Sequence, residues 1–270
     1  MRHISELLPV MVLIPHHPFL MGTPVQETRE LARLYGGTRE SYHEETPQHQ
    51  VVLPAFAIAQ TPVSAALYAC AVAAGAVPSP PIWHGPLPPP ELADLPVTDV
   101  NWYEARAFCT WLSQQPDLTL RLINAAGQPL PPPSRLHFRL PTEAEWEHAA
   151  RGVDGRRFPW GNTFSPKQAN TREGGRAAPN PPGTYPDGRS PYGIEDMAGN
   201  VWEWTSSLDR PYPYRPDDGR EDPDVPGRRI LRGGCYANPQ GYARCACRFR
   251  MQPAMRNQFL GMRLALSITE

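Results

Sequence analysis

Proline is the feature of this sequence that most limits its fold. The 270 residues include 35 prolines and 21 glycines, with dense proline tracts at 78–90, 129–134 and 180–187. A proline removes a backbone donor and disrupts the interior of a helix or a central strand. The sequence therefore predicts short helices and strands that are separated by long irregular loops.

The remaining composition favours a folded protein without a charged partner. Hydrophobic residues make up 40% of the chain and charged residues 20%, so we expect a sizeable core and no wholesale disorder. The formal net charge is −1, which gives no electrostatic reason to expect a nucleic acid or an anionic membrane as partner. Basic charge is almost all arginine, with Lys167 the single lysine, and we interpret this as the protein of a thermophile.

Localisation is predicted from the cysteines and from the apolar runs. Five cysteines are an odd number and too few for a disulfide scaffold, which favours reduced thiols. The apolar run at 7–14 contains Pro9 and lacks the basic stretch and cleavage site of a signal peptide, so we predict a first strand there. No run approaches the length of a transmembrane helix. We therefore expect a cytoplasmic protein.

Two helices are predicted from their N-terminal caps. Asn101 and Glu104 begin one helix, and Thr142 and Glu145 begin another, each with the spacing of a capping box. A third helix is expected over 64–74. Strands are predicted in VVLPAFAIA, NVWEWTSS, RRILRGG and MRLALS. Together these elements predict one α+β domain over residues 1–270.

Five different sequence motifs follow one another along the chain. They are PFLMG at 18–22, ETPQHQVVL at 45–53, RLPTEAEWEHAARG at 139–152, DMAGNVWEW at 196–204 and LGMRLA at 260–265. With them the chain resembles the formylglycine-generating-enzyme family, also called the sulfatase-modifying-factor family. The resemblance implies a variant of the C-type lectin fold, with a twisted antiparallel sheet, two main helices and much irregular loop. The family includes copper-dependent oxidases, domains of iron-dependent synthases and non-catalytic binding proteins, so the fold alone leaves the function open.

The oxidase interpretation depends on two copper-binding thiolates. The family's copper enzyme carries them five residues apart, after a GGS motif, because soft Cu(I) needs sulfur ligands. Here Cys235 stands at the serine and Asn238 at the first copper cysteine, and no cysteine lies between them and Ala243. Cys245 and Cys247 are spaced so that a strand would place both sulfurs on one face, where they could bind a metal. The other interpretation is a buried strand whose cysteines pack in the core. The sequence therefore does not predict copper, and an oxidase acting on a protein cysteine is kept as the alternative function.

The C-terminal region most resembles the variable proteins of diversity-generating retroelements. The frame of that branch is present at 232–234, 243–248, Arg250, Pro253, Arg256 and 260–261. The resemblance implies a variable region at about 232–266 whose diversified positions bind a ligand. Those positions are Tyr236, Ala237, Asn238, Gln240, Tyr242, Phe249, Met251, Ala254, Met255, Asn257, Gln258 and Phe259. We expect a non-catalytic protein that binds a macromolecular ligand, a protein, and neither nucleic acid nor membrane.

The residue types at those positions agree with recognition. Tyrosine, phenylalanine, methionine and arginine are enriched at protein interfaces. The other interpretation is that Phe249, Met251 and Phe259 pack inside and leave an ordinary surface. Adenine-directed mutagenesis of an asparagine codon yields tyrosine, phenylalanine or alanine, whereas methionine and glutamine, as at Met255 and Gln258, require a different template codon.

The DMAGNVWE motif is a candidate cation site. Asp196 and Glu203 offer carboxylate oxygens, and the carbonyls of Gly199 and Val201 lie between them in the sequence, which is the oxygen-rich environment that Ca²⁺ prefers. The resemblance implies one structural Ca²⁺ on these four residues. A hydrogen-bonded turn without metal is the other interpretation.

Overall fold

The structure explains the irregular sequence with many short elements. The computed structural model describes residues 3–268, apart from the side chains of residues 39–41. Over that range the α-helices are α1 (Ile4–Leu7), α2 (Thr28–Tyr35), α3 (Ala65–Ala73), α4 (Trp102–Ser113) and α5 (Glu143–Arg151). The strands are β1 (Met11–Ile14), β2 (Pro18–Met21), β3 (His49–Val52), β4 (Phe56–Ala59), β5 (Leu122–Ile123), β6 (Pro129–Leu130), β7 (Phe138–Arg139), β8 (Trp202–Leu208), β9 (Arg229–Arg232), β10 (Phe249–Met251), β11 (Leu260–Met262) and β12 (Ala265–Ser267).

The helices predicted from their caps are present. Asn101 and Thr142 each accept from the backbone of the third helical residue, whose glutamate bonds back to the cap, so both capping boxes form. Ser64 caps α3 through the backbone nitrogen of Leu67. The predicted first strand begins later than expected, at Met11. Residues 4–7 form α1 instead, because Pro9 separates that turn from the strand.

The strands form two larger sheets and one two-stranded sheet. The six-stranded sheet has the order β6-β5-β1-β4-β12-β7, the four-stranded sheet has the order β10-β9-β8-β11, and β2 pairs with β3. Most pairs are antiparallel, and β1–β5 and β8–β11 are parallel. The α+β prediction is confirmed. The parallel pairs join strands that are distant in the sequence, which a parallel connection requires.

Trp202 and Trp204 belong to the core. Trp204 is fully buried and donates from its indole nitrogen to the carbonyl of Val100 at 3.0 Å. Trp202 pairs with Leu260 across the β8–β11 ladder. The core therefore reaches directly beneath the C-terminal segment. Across residues 3–268, no helix has both the length and the apolar composition to cross a membrane.

The ARCACR segment is a turn, which corrects the predicted strand. Cys247 donates its backbone N–H to the carbonyl of Arg244 at 3.0 Å, and Cys245 donates to the carbonyl of Arg157 at 2.8 Å. In this conformation the two thiols point into different apolar clusters. The two thiols therefore do not lie on a common face, and none of the five cysteines forms a disulfide bond.

Candidate recognition surface

The frame residues of the C-terminal region are buried. Residues 232–234, 243–248 and 260–261 are all buried, while Arg250, Pro253 and Arg256 are half-buried. Gly234 has a φ of +76°, and a Cβ there would lie 2.9 Å from the carbonyl oxygen of Tyr242. That position favours glycine because of both its φ and its close contact. The frame thus packs as part of the protein interior.

The intervening residues lie mainly on the outside. Of the twelve positions predicted to bind ligand, eleven are exposed or half-buried, namely Ala237, Asn238, Gln240, Tyr242, Phe249, Met251, Ala254, Met255, Asn257, Gln258 and Phe259. Tyr236 is the exception at 8% exposure, and its ring lies 5.3 Å from that of Phe259. Met251 and Phe259 also contact the core. The interpretation that these residues pack inside is therefore partly correct for Met251 and Phe259, and it is not correct for Phe249.

Three arginines of the frame bind glutamates that lie elsewhere in the chain. Arg232 lies 3.2 Å from Glu143 and 3.0 Å from Glu147, both on α5. Arg248 contacts the same Glu143 through its Nε at 2.9 Å. These side chains are at most 3% exposed, and removing one partner would leave an uncompensated buried charge. The network fixes the C-terminal turn to α5.

The third frame arginine, Arg244, is anchored to the segment that precedes β3. Its guanidinium binds both carboxylate oxygens of Glu45, at 2.7 and 2.8 Å. It also lies over the ring of Tyr42, 4.8 Å from the centroid. Such bidentate pairs restrict orientation as well as adding energy. Residues 35–45 are therefore held against the turn that carries Tyr242.

An aromatic cluster lies at the centre of the surface. Phe249 stacks on Trp202 with ring centroids 5.3 Å apart, and Tyr242 meets the same indole edge-on at 6.2 Å. Tyr242 is 41% exposed and Phe249 38%, so both present ring area to a partner while resting on a buried residue. Aromatic rings held in this way supply contact area at little cost in conformational entropy.

Two hollows are lined in part by candidate positions of the C-terminal region. One has a volume of about 280 Å³ and lies between residues 35–45 and the side chains of Tyr242 and Phe249. The other, of about 230 Å³, is lined by Tyr236 and Gln258 together with Trp83. The sequence predicted the C-terminal side of each hollow. It did not predict the wall formed by 35–45, for which two tyrosines in a polar stretch were the only signal.

The thiols of this region do not fit a copper site. Burial raises the pKa of Cys245 and of Cys247 to about 12, so both are protonated near neutral pH. Burial also raises the pKa of Cys235, whose Sγ donates to the Oδ1 of Asn238 at 3.1 Å. A site with two thiolate ligands for a soft metal would need two sulfurs side by side. Cys245 and Cys247 instead lie in different apolar clusters, and the side chain bonded to the Cys235 thiol is the amide of Asn238.

The predicted calcium ligands separate into two environments. Glu203 is buried, and its carboxylate accepts from Arg263 at 2.7 to 3.1 Å and from the indole of Trp146 at 2.6 Å. Asp196 differs, because its Oδ2 is buried without a hydrogen-bond partner among the described residues. Burial raises the pKa of Asp196 to about 6. The Oδ2 of Asp196 is therefore suited to bind a cation, whereas the carboxylate of Glu203 is already bonded to Arg263 and Trp146.

Two amides near Asp196 also carry buried acceptors without partners. The Oδ1 atoms of Asn170 and Asn180 have no hydrogen-bond donor in the described structure. Asn180 donates to Asp196 at 3.3 Å, and both asparagines are bonded to Asn200. A Cβ at Gly199 would lie 2.1 Å from the carbonyl oxygen of Asn170, so the two loops are in close contact.

No cluster of three or more His, Cys, Asp and Glu side chains among residues 3–268 is placed to hold a metal. A cation here would therefore depend on amide and carbonyl oxygens. The contribution of the Gly199 and Val201 carbonyls stays a prediction.

Comparison with known proteins connects this geometry to a family. The profile described as "Sulfatase-modifying factor enzyme 1-like domain" matches residues 2–268. Hercynine oxygenase of Mycolicibacterium smegmatis is 32% identical over 95% of this chain and 61% of its own length. Formylglycine-generating enzyme of Mus musculus is 33% identical over 63% of this chain and 44% of its own. The chain thus spans less than two thirds of either relative.

A solved structure, "Treponema denticola variable protein 1", is similar over nearly the whole chain. The TM-score is 0.69 at 27% identity, covering 95% of this chain and 94% of that one. The C-type lectin-like fold of the formylglycine-generating type and the resemblance to variable proteins are thereby confirmed. The chain belongs to the family of sulfatase-modifying factor enzyme 1-like domains.

Proposed function

We propose that this chain is a non-catalytic binding protein that displays a diversified C-terminal surface to a protein ligand. The observation that carries the proposal is the alternation along 232–261. Frame residues 232–234, 243–248 and 260–261 are buried, and eleven of the twelve intervening candidate residues are exposed or half-buried. A rigid frame allows the chemistry of exposed side chains to change without loss of the fold. The likeness to a solved variable protein supports the same interpretation.

The surface suits a protein ligand. It combines exposed aromatic and methionine side chains, such as Tyr242, Phe249 and Met255, with half-buried polar ones. Interface cores are enriched in these residue types and depleted in lysine and aspartate. A nucleic acid would require an excess of unpaired basic groups. Here Arg250 and Arg256 are paired with Glu44 and Glu104.

Calcium is proposed as a structural ion of the scaffold. Asp196, in the loop that leads into β8, and Asn170 and Asn180, in the preceding irregular segment, supply the oxygens without donors. Ordering this loop would hold the start of β8, which carries Trp202. The ion would serve the fold and would take no part in recognition.

A copper-dependent oxidase acting on a protein cysteine is the competing function, and the similarity to a formylglycine-generating enzyme supports it. We would measure oxygen consumption with a thiol peptide in the presence of copper. In parallel, we would measure the affinity for a ligand isolated with the native protein. The display proposal predicts no copper-dependent turnover and a ligand that the triple variant Tyr242→Ala, Phe249→Ala, Met255→Ala no longer binds.

A matched control removes equally exposed apolar side chains elsewhere. Val52, Leu87 and Val153 are 53%, 52% and 44% exposed, so the triple alanine variant at these positions should bind as the native protein does. Stoichiometric copper with turnover, or equal loss of binding in both triple variants, would contradict the proposal.

A further inference from the structure

The hollow of about 280 Å³ beside the aromatic cluster has walls of two kinds. One wall consists of Tyr35 and Tyr42, which precede β3 and lie outside the variable region. The facing wall contains Tyr242 and Phe249, two of the twelve candidate positions. The walls are in close contact at their base, because a Cβ at Gly241 would lie 2.8 Å from the Cβ of Tyr35. The hollow is therefore bounded on one side by residues that diversification would not change.

Its size limits what it can hold. Sites for drug-sized molecules usually have volumes of about 300–1,000 Å³, and this hollow lies just below that range at about 280 Å³. It has room for one large side chain. Because it opens beside the exposed rings of Tyr242 and Phe249, such a side chain would enter from a partner that already lies on the recognition surface.

The buried charges around the hollow are paired with one another. Arg244 is bonded to Glu45 through two hydrogen bonds, and both side chains are 4% exposed. Arg248 is likewise bonded to Glu143. No unpaired charge therefore remains in the interior among the described lining residues, and a carboxylate that entered it would lose water without gaining a free cation. An ammonium would gain only the faces of the aromatic rings, so a lysine amide is the probe that tests this alternative.

The thiol of Cys247 lines the same hollow and does not make it a reactive site. Cys247 is 7% exposed. Burial raises its pKa to about 12, so the thiol stays protonated near neutral pH. The reactive form of cysteine is the thiolate. Occupancy of the hollow is therefore a matter of binding alone.

We propose that this hollow is an anchor subsite for one neutral aromatic side chain, tyrosine or tryptophan, of the protein ligand. The rings of Tyr35, Tyr42, Tyr242 and Phe249 would pack around the entering ring, since aromatic pairs favour edge-to-face and offset contacts. The ion pair of Glu44 with Arg250 is partly exposed on the lining and offers a partner to the phenol or indole hydrogen. Because the wall of Tyr35 and Tyr42 lies outside the predicted variable region, different diversified surfaces would share that half of the anchor.

This inference rests on the proposed function, and its test uses small probes. Saturation-transfer NMR would compare N-acetyl-tyrosinamide and N-acetyl-tryptophanamide with N-acetyl-leucinamide and N-acetyl-lysinamide. We expect saturable signals for the two aromatic amides only. Tyr35→Ala and Phe249→Ala should each lower these signals at least about fivefold, the loss expected when a ring contact of about 1 kcal/mol is removed. Leu87→Ala, which removes an exposed apolar side chain outside the hollow, should leave them unchanged.

Each result has a defined meaning. Equal binding of the leucine and tyrosine amides, stronger binding of the lysine amide, or full signal in a folded Tyr35→Ala variant would overturn the anchor. Phe249 is 38% exposed, so Phe249→Ala keeps the test valid if Tyr35→Ala does not fold. Aromatic binding in a protein whose C-terminal codons never vary would keep the anchor and refute diversification. Codons that vary in a protein that does not bind the aromatic amides would refute the anchor alone.

Discussion

Arg244 and Glu45 form a bidentate salt bridge between residues that lie 199 positions apart in the chain. The two N–O distances are 2.7 and 2.8 Å, and both side chains are 4% exposed. Glu45 also accepts from the hydroxyl of Thr23 at 2.9 Å. The pair joins the segment before β3 to the turn that carries the recognition surface. The pair therefore supports the candidate recognition surface from outside the predicted variable region.

The first prediction concerns this pair. Glu45→Gln leaves the buried guanidinium of Arg244 without its counter-charge, so the free energy of unfolding should fall by about 3–5 kcal/mol. The matched control is Glu44→Gln, which breaks the partly exposed pair with Arg250 and should cost at most about 1 kcal/mol. Urea unfolding measures both values. Equal costs in the two variants would mean that the buried pair does not anchor the turn.

The second prediction concerns tolerance on the recognition surface. Met255 is 47% exposed and Gln258 is exposed, so alanine at either should change the free energy of unfolding by at most about 0.5 kcal/mol. Tyr236 is buried at 8% exposure, and Tyr236→Ala should cost about 3 kcal/mol. Thermal and urea unfolding of the three variants test this. A large loss at Met255 or Gln258 would show that the surface is part of the core.

The third prediction concerns calcium and the titration of Asp196. Its pKa of about 6 lies above the usual value of 3.8, so the proton favours the folded state. Without a cation, stability should fall by about 3 kcal/mol as the pH rises from about 4 to 6. Calcium binds the ionised carboxylate, so its stabilising effect should be large at about pH 7.5 and small at about pH 5.

Variants separate Asp196 from other buried carboxyls. Asp196→Asn should raise the unfolding temperature in chelator near neutral pH and abolish the response to calcium. Glu221→Gln is the control and should keep the response to calcium. Burial also raises the pKa of Glu221, but its carboxylate is bonded to Ser206, Ser207 and Tyr214. If calcium stabilises Asp196→Asn as much as the native protein, the ion binds elsewhere.

The fourth prediction concerns His148, a buried imidazole. Its ring stacks on Phe19 at 4.5 Å, its Nε2 bonds the hydroxyl of Tyr192 at 3.1 Å, and its Nδ1 has no partner among the described residues. Burial, with a smaller contribution from His17, lowers the pKa of His148 from 6.5 to about 4. The unfolded chain therefore takes up the proton first as the pH falls.

Acid should accordingly destabilise the fold through His148. The contribution is fully present above about pH 6.5 and is lost as the pH falls toward 4, by about 3 kcal/mol in all. His148→Phe keeps the stack on Phe19 and removes the titrating group, so its unfolding free energy should depend less on pH over this range. His43→Gln, which changes an exposed histidine, should behave as the native protein does. Parallel pH profiles for all three proteins would contradict the assignment.

The fifth prediction concerns the thiols. Burial raises the pKa of Cys109, Cys245 and Cys247 to about 12 in each case, so these thiols should react with a disulfide reagent only when the protein unfolds. Cys70 is the most accessible of the five and should react first. Fast native-state modification of two cysteines in the C-terminal turn would restore the oxidase as the leading function.

The helices predicted from the sequence were those set by local chemistry. Asn101 and Thr142 begin helices through bonds that span three residues, which a short motif can reveal. The strand predicted over ARCACR was wrong, because its backbone bonds to Arg157 and its arginines bond to Glu45 and Glu143. Partners so distant in sequence leave no periodic signal.

The candidate site was predicted in part for the same reason. The separation into frame and diversified positions came from a resemblance, and the exposure pattern agrees with it. The wall formed by Tyr35 and Tyr42 was missed, because α2 has only eight residues and no side-chain cap, and the turns after it have no regular period. For calcium, Asp196 keeps a free oxygen, whereas the partners of Glu203 are set by the folding of α5 and β11 toward β8.

The central claim is that the residues between the buried frame positions are diversified for recognition. Sequencing the gene and its flanking DNA in many cells from one culture tests it most directly. The claim predicts codon differences confined to the exposed candidate positions within 232–266. It also predicts a nearby near-copy of that region that differs chiefly at adenines, beside a reverse transcriptase gene. Uniform codons in every cell, with no near-copy in the flanking DNA, would contradict it.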